Sequence, residues 1–248
     1  MKSMNIIFRT CANVKKTSKG GDRPFGLSKE KIILKSLKSL LESSKGFEKR
    51  LFFNIVDDSS PEEFRKKINS LMNKYPFFWR LHKISVKSNG KSMKYCYDLA
   101  DKIREDLVYF CEDDYFHLKS AIPSIFDAYD RKIIGNRKFC IHPTDYPDRY
   151  IHLEPSYIFA GKNNHWRSVF STTGTFIIPK TFFNKYKETF YEFSDFNITS
   201  TGGENITLSK IWKEVPLIAP IESFAAHLNE DTLPLYVDWK KEISKVKI

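Results

Sequence analysis

Five carboxylates fall in two short clusters, Asp57-Asp58 and Glu112-Asp113-Asp114, each placed directly after an apolar run, Leu51 to Val56 and Leu107 to Cys111. Acids converging on one edge of a fold repel each other unless a cation or hydrogen-bond donors offset them, so the two clusters predict a divalent metal. Ligands that are all oxygen suit Mg²⁺ or Mn²⁺ better than zinc. The six histidines include no H-x-x-H or H-E-x-x-H pair, which argues against zinc chemistry. The competing reading makes each cluster a helix cap. Its weakness is that both clusters stand at equivalent places in successive units.

The elements around the acids alternate. Asn5 to Thr10 predicts a first strand, and the polar stretch Lys15 to Gly26, with its Gly20-Gly21 pair, predicts a loop. Ile33, Leu37, Leu40 and Leu41 put one apolar stripe on a helix from about Ser28 to Ser43. Leu51 to Val56 reads as a strand buried on both faces. Ser60, Pro61 and Glu63 have the spacing of a capping box, and Phe64, Ile68, Leu71 and Met72 supply the stripe of the helix it would open. A further helix from about Lys91 to Glu105 leads into the strand Leu107 to Cys111. Strands and helices in this order predict a parallel sheet built by right-handed crossovers, and such sheets bind ligands at their carboxyl edge.

After about residue 130 the pattern loosens. Pro143, Pro147 and Pro155 interrupt it, with short strand candidates at Phe139–His142, Tyr157–Ala160 and Thr175–Ile178. Helices are expected at Lys180–Tyr191 and Gly203–Lys213, then an extended tail in which Trp239 packs back on the body. Tyr146, Tyr150, Tyr157, His165 and Trp166 cluster with polar residues, and sugar or base rings stack on such side chains, which makes Trp166 an acceptor-binding candidate. His142, beside a strand candidate, reads as a hydrogen-bonded structural histidine.

At 248 residues, 41% hydrophobic and 15% aromatic, the chain has material for one α/β domain over residues 1–248, and disorder is excluded as its default state. The net charge of +11 predicts attraction to polyanions without choosing among nucleic acid, an anionic membrane and a phosphorylated substrate. Cys11, Cys96, Cys111 and Cys140 lie far apart, so buried free thiols in a reducing compartment are expected. No run of eighteen apolar residues and no leader-like segment is present, and a soluble intracellular, cytoplasmic protein is the expectation, with peripheral membrane contact left open.

The order of a first strand, an Asp-Asp-Ser-Ser turn at 57–60, an Asn-Gly at 89–90 and an apolar strand ending in Glu-Asp-Asp at 112–114 resembles the nucleotide-binding half of GT-A glycosyltransferases, family 2 in particular. The resemblance implies a Rossmann-like α/β fold whose central sheet is mixed, mainly parallel and flanked by helices. It assigns residues 1–130 to a nucleotide-sugar donor and 131–248 to the acceptor. By the same resemblance Arg9 and Thr10 lie near the nucleotide, and Asp57 or Asp58 accepts from base or ribose. Glu112-Asp113-Asp114 resembles the family's D-x-D motif, with Asp114 on Mn²⁺ or Mg²⁺ and Glu112 and Asp113 near ribose and donor sugar; Glu stands where the motif begins with Asp. Ser171 to Phe176, with Thr173 and Gly174, resembles the segment facing donor sugar and acceptor. Thr201 to Asn205 resembles the family's Gly-Glu-Asp signature, and because Asn205 replaces its Asp, Glu204 becomes the candidate general base. The start of its helix is expected to keep Glu204 ionised. His227 falls where relatives use a late histidine on the metal or diphosphate.

The implied activity is an inverting transfer of a sugar from a nucleoside diphosphate to a glycan, a lipid-linked saccharide or a modified DNA base, the last as in viral enzymes. Two rivals remain. A nucleotidyltransferase needs a Gly-rich basic loop after the first strand, which Lys15 to Arg23 imitates only loosely, and a basic nucleic-acid-binding module leaves the acids without a purpose.

Overall fold

Alternation of apolar side chains builds the first half of the sheet. In the computed structural model, which describes residues 1–13, 23–152, 155–172, 174–195 and 203–248, strands β1 (Met4–Thr10), β2 (Leu51–Asp58), β3 (Phe78–Ile84) and β4 (Leu107–Glu112) lie parallel. Ile6, Phe8, Phe53 and Ile55 face one side, and Ile7, Val56, Val108 and Phe110 face the other. Each large apolar side chain buried this way contributes about 1.5–3 kcal/mol relative to exposure. Helices α1 (Lys29–Ser43) and α2 (Glu62–Met72) cover the first face and α3 (Asn89–Lys102) the second.

Helix starts follow local chemistry. The Ser28 and Ser88 hydroxyls accept from the N–H groups of Lys31 and Lys91. The expected capping box does not form: Pro61 stands at the cap, the Ser60 hydroxyl accepts from the Ala12 N–H at 2.9 Å, and Glu63 pairs with Lys66. Strand β3 gave no continuous apolar run because it is an edge strand carrying Arg80 and Lys83.

The second half is antiparallel at most of its pairings. Strands β6 (Cys140–Ile141), β7 (Ile158–Ala160) and β9 (Phe176–Pro179) match the three candidates, while β8 (His165–Val169) and β10 (Leu217–Ile221) lie outside them. Among the described residues they extend one nine-stranded mixed sheet in the order β3-β2-β1-β4-β9-β6-β10-β8-β7. The helix expected at Lys180–Tyr191 is two, Lys180–Lys185 and Lys187–Phe193, and that at Gly203–Lys213 is also two, Gly203–Ile206 and Leu208–Glu214. A small second sheet pairs β5 (Tyr115–His117) with β11 (Ala225–His227). Trp239, on the helix Trp239–Lys245, packs with Ile32, Phe116 and Leu228, so the tail does return to the body and braces that small sheet. The cysteines are free, three of them buried and Cys11 half-buried. No helix among the described residues is long and apolar enough to cross a membrane. The glycine-containing loop expected after β1 falls largely on residues 14–22, outside the described residues.

Candidate active site

The register of the parallel strands decides which side chains share the carboxyl edge. Arg9 lies opposite both Val56 and Glu112, and Thr10 opposite Asp57. Beyond that edge opens a cleft of about 780 Å³ lined by Arg9, Thr10, Asp58, Glu112, Asp113, Asp114, Gly174, Glu204 and His227, among others. Nine expected site residues therefore meet in one space.

Asp58 is held rigidly. One carboxylate oxygen, Oδ1, accepts from the Ser59 hydroxyl at 2.8 Å and from the N–H groups of Val86 and Lys87 at 3.0 and 3.1 Å. The two chain segments it joins carry left-handed residues, Ser59 at φ 64° and Lys87 at φ 48°, an arrangement that needs such anchoring. Asp57 points to the opposite face of β2, fully buried and off the cleft, with Arg65 Nη1 at 3.3 Å from Oδ2. Burial pushes its carboxyl up, against the pull of hydrogen bonds from Ser60 and Arg65. The expectation that either acid of this pair serves the donor narrows to Asp58, because β2 continues through both residues and successive side chains alternate.

Thr10 is buried at the lip of the cleft, and its hydroxyl oxygen has no hydrogen-bond partner among the described residues. Arg9 forms an ion pair with Glu112 and also donates to Asn89 and, at 3.1 Å, to Ser92. The pair ties β1 to β4 and to the start of α3.

Asp113 accepts from the Cys11 N–H at 3.0 Å and pairs with Lys29. Asp114 stands 3.8 Å from Lys29, 3.8 Å from Arg23 and 3.6 Å from Nε2 of His227. Burial acts to raise the Asp114 carboxyl, but His227, Lys29 and Arg23 together hold it below the usual carboxylate range. The histidine arrives through the small sheet: His227 lies opposite Tyr115, the Leu228 N–H donates to the Asp114 carbonyl at 2.8 Å, and the imidazole stacks on Tyr115 at 5.0 Å. Nδ1 meets the Thr232 hydroxyl at 3.2 Å, which leaves Nε2 directed at Asp114.

Among the described residues no group of three or more His, Cys, Asp or Glu side chains forms a ready metal cage. Two neighbouring ligands of an octahedral ion at ~2.1 Å lie about 3 Å apart. Asp114 and His227 are separated by little more, at 3.6 Å, a spacing that two ligands of one such ion could adopt.

Gly174, also lining the cleft, approaches Glu112 so closely that a Cβ would lie 3.0 Å from the carboxyl carbon, so a side chain there would require the Glu112 carboxylate to shift. Glu204 lines the cleft beside it. Its carboxyl is pushed well above the usual range, first by burial and then by Glu112, while Arg149 and the Thr172 N–H act in the opposite direction. This reverses the expected effect of the helix start: Gly203–Ile206 is a single turn, and burial outweighs it. Thr173 and the Thr201-Gly202 part of the signature lie outside the described residues.

Trp166 is not brought to the cleft. It is 1% exposed and packs edge-on against Phe224 in the core, so its acceptor-binding role is not supported by position. His142 is buried, with Nδ1 at 2.9 Å from the Thr175 carbonyl and 2.7 Å from the Thr172 hydroxyl, a structural placement. Sequence reasoning missed Arg23 and Lys29. Their signal was the recurrence of basic residues between β1 and the first turn of α1.

Residues 27–187 match the sequence model described as glycosyl transferase family 2. No curated protein matches the chain. Among solved structures, S. aureus TarS 1-349 in complex with UDP aligns at TM-score 0.50 and 12% identity, over 77% of this chain and 54% of that one. The mannosyltransferase PcManGT from Pyrobaculum calidifontis, in complex with GDP-Man and Mn²⁺, aligns at TM-score 0.46 and 10% identity, over 74% and 46%. The chain spans about half the length of these structures.

Proposed function

This chain belongs to glycosyl transferase family 2, and from that premise we propose that its cleft binds a nucleoside diphosphate sugar and passes the sugar, with inversion, to a hydroxyl of a glycan or lipid-linked saccharide. The observation that carries the reading is the meeting of Asp58, Glu112, Asp113, Asp114 and His227 in one space. Thr10 and Asp58 take the nucleoside: Thr10 offers an unused buried hydroxyl, and Asp58 a carboxylate fixed by three donors. Arg9 keeps Glu112 in place beside the donor sugar, and Asp113 is held toward ribose by Lys29 and the Cys11 N–H.

Asp114 and His227 would hold Mn²⁺ or Mg²⁺, which when bound would supply positive charge at the leaving diphosphate. Glu204 accepts the proton of the acceptor hydroxyl. As the acceptor oxygen bonds to the anomeric carbon, the bond from that carbon to the phosphate oxygen breaks and its electron pair leaves with the nucleoside diphosphate. The raised basicity of Glu204 suits this proton transfer. Gly174 keeps the wall beside Glu112 open, where acceptor and donor sugar meet.

The test is calorimetry and product analysis with a panel of nucleotide sugars, with and without Mn²⁺. Donor binding should need the metal and should be lost in Asp114→Ala. Binding indifferent to both would overturn the proposal. Salt-sensitive retention of duplex DNA together with no transfer to saccharides would instead point to a modified base as acceptor.

A further inference from the structure

Two positive side chains stand against the acids that follow β4, and the reaction just described places neither of them on the donor. Lys29 and Arg23 both line the cleft, with side chains only 10% and 6% exposed. Lys29 is the first residue of α1, where a cation works against the helix dipole, so the helix gains nothing from its charge. Its ammonium pairs with Asp113 and lies 3.8 Å from Asp114 Oδ2, and Arg23 Nη1 lies 3.8 Å from the same oxygen. At that separation neither contact with Asp114 is a hydrogen bond, and each acts on it as charge. Burial works to lower the Lys29 ammonium, but Asp113 and Asp114 outweigh it and hold the group above its usual range, so it is charged at neutral pH.

The two oxygens of Asp114 therefore face different groups. Oδ1 is 3.6 Å from His227 Nε2, whereas Oδ2 faces the two cations. A divalent ion at Asp114 and His227 would share one carboxylate with two fixed positive charges, and both repel it. The adjoining acids do not offset this, because Glu112 is matched by Arg9 and Asp113 by Lys29 itself. A diphosphate carries the missing negative charge. An ammonium has three N–H donors and Asp113 takes one, so Lys29 can keep Asp113 and turn another donor to a phosphate oxygen.

We propose that Lys29 and Arg23 are ligands of the donor's diphosphate and that, until it arrives, their charges oppose the metal at Asp114, so that metal and diphosphate bind as a coupled pair. The inference rests on the cleft being the site of a nucleoside diphosphate sugar. The coupling is reciprocal: the diphosphate strengthens the metal by the same factor as the metal strengthens the diphosphate.

The test reads binding instead of turnover. Mn²⁺ alone is titrated by electron paramagnetic resonance, and UDP, GDP, CDP, ADP and dTDP with their monophosphates are titrated by calorimetry in saturating Mn²⁺, for wild type, Lys29→Met, Lys29→Arg and Arg23→Met. In Lys29→Met, Mn²⁺ alone binds ~3–10-fold tighter, because a competing cation is gone. The preferred diphosphate then binds ~10-fold or more weakly, and its monophosphate loses less. Arg23→Met moves both affinities in the same directions while leaving the Lys29–Asp113 pair in place. Lys29→Arg keeps the charge and returns most of both. Mn²⁺ that binds no tighter to Lys29→Met, or mono- and diphosphate weakened equally, overturns the proposal, since Lys29 then serves only to hold Asp113. Should Lys29→Met fail to fold, the same two readings in Arg23→Met decide. Wild type that binds none of these nucleotides with Mn²⁺ sinks the donor reading and this inference with it, whereas nucleotide binding that is normal in wild type and unchanged in the variants sinks only the roles of Lys29 and Arg23.

Discussion

The two strand ends that carry acids treat them differently. At the end of β2 the ladder to β3 runs through both aspartates, Asp57 opposite Lys83 and Asp58 opposite Ile84, so pleating sends one carboxylate into the core and the other into the cleft. At the end of β4 the ladder to β1 stops at Glu112, and Asp113-Asp114 form a turn before β5. Turn residues are free of strict alternation, and here Glu112 and both aspartates line the cleft. An Asp-Asp pair inside a ladder thus yields one cleft residue, whereas the same pair in a turn yields two.

Conservative amide substitutions sharpen this contrast, since Asn keeps the shape of Asp and removes the charge. Asp114→Asn should have the largest effect, a ~10²–10³-fold loss of turnover with weaker Mn²⁺ binding, measured by metal titration of activity. The Asp113→Asn variant is expected to lose ~10–100-fold in kcat/KM and also to melt at lower temperature, because Lys29 is then left with Asp114 alone at 3.8 Å. For Asp58→Asn the expectation is milder, about 10-fold in donor affinity by calorimetry with little change in kcat, since Asn can still accept from Val86 and Lys87. If Asp113→Asn were silent, the turn would behave like the ladder and the contrast would fail.

The sequence made the first half of the fold legible because strands buried on both faces and amphipathic helices leave dense apolar signals, as in Leu107–Phe110 or Ile33, Leu37 and Leu40. Edge strand β3 left no such signal, because Arg80 and Lys83 interrupt its apolar residues. In the second half, β10 hides a proline, Pro220, and β11 is three residues long, Ala225–His227, and takes its meaning from pairing with β5. His227 was reached through resemblance; its contact with Asp114 depends on that long-range pairing, which no local pattern encodes. Pairing of Glu112 with Arg9 was likewise invisible until the β1–β4 register was known. The Glu204 environment was misjudged for a related reason: a helix start is local, but the burial that raises its carboxyl comes from distant segments.

Asp57→Asn should have the smallest effect and tests the comparison most directly. Because burial raises the Asp57 carboxyl, the folded chain holds its proton more tightly than the unfolded chain does. Its contribution to stability is therefore complete below the ordinary unfolded carboxylate value and is lost as pH rises through the raised folded value. At neutral pH the ionised form no longer supplies it, and asparagine can still accept from Arg65, which also keeps Glu62 at 2.8 Å. Donor affinity in Asp57→Asn should stay within ~2-fold, and the melting temperature at pH 7.5 should fall by no more than about 2–4 °C, which corresponds to ~1 kcal/mol in a chain of this size. Melts at pH 5 and pH 7.5 should show wild type gaining on the variant toward acid. A tenfold loss of donor affinity would put Asp57 in the site, and the division that pleating imposes on the β2 pair would be refuted.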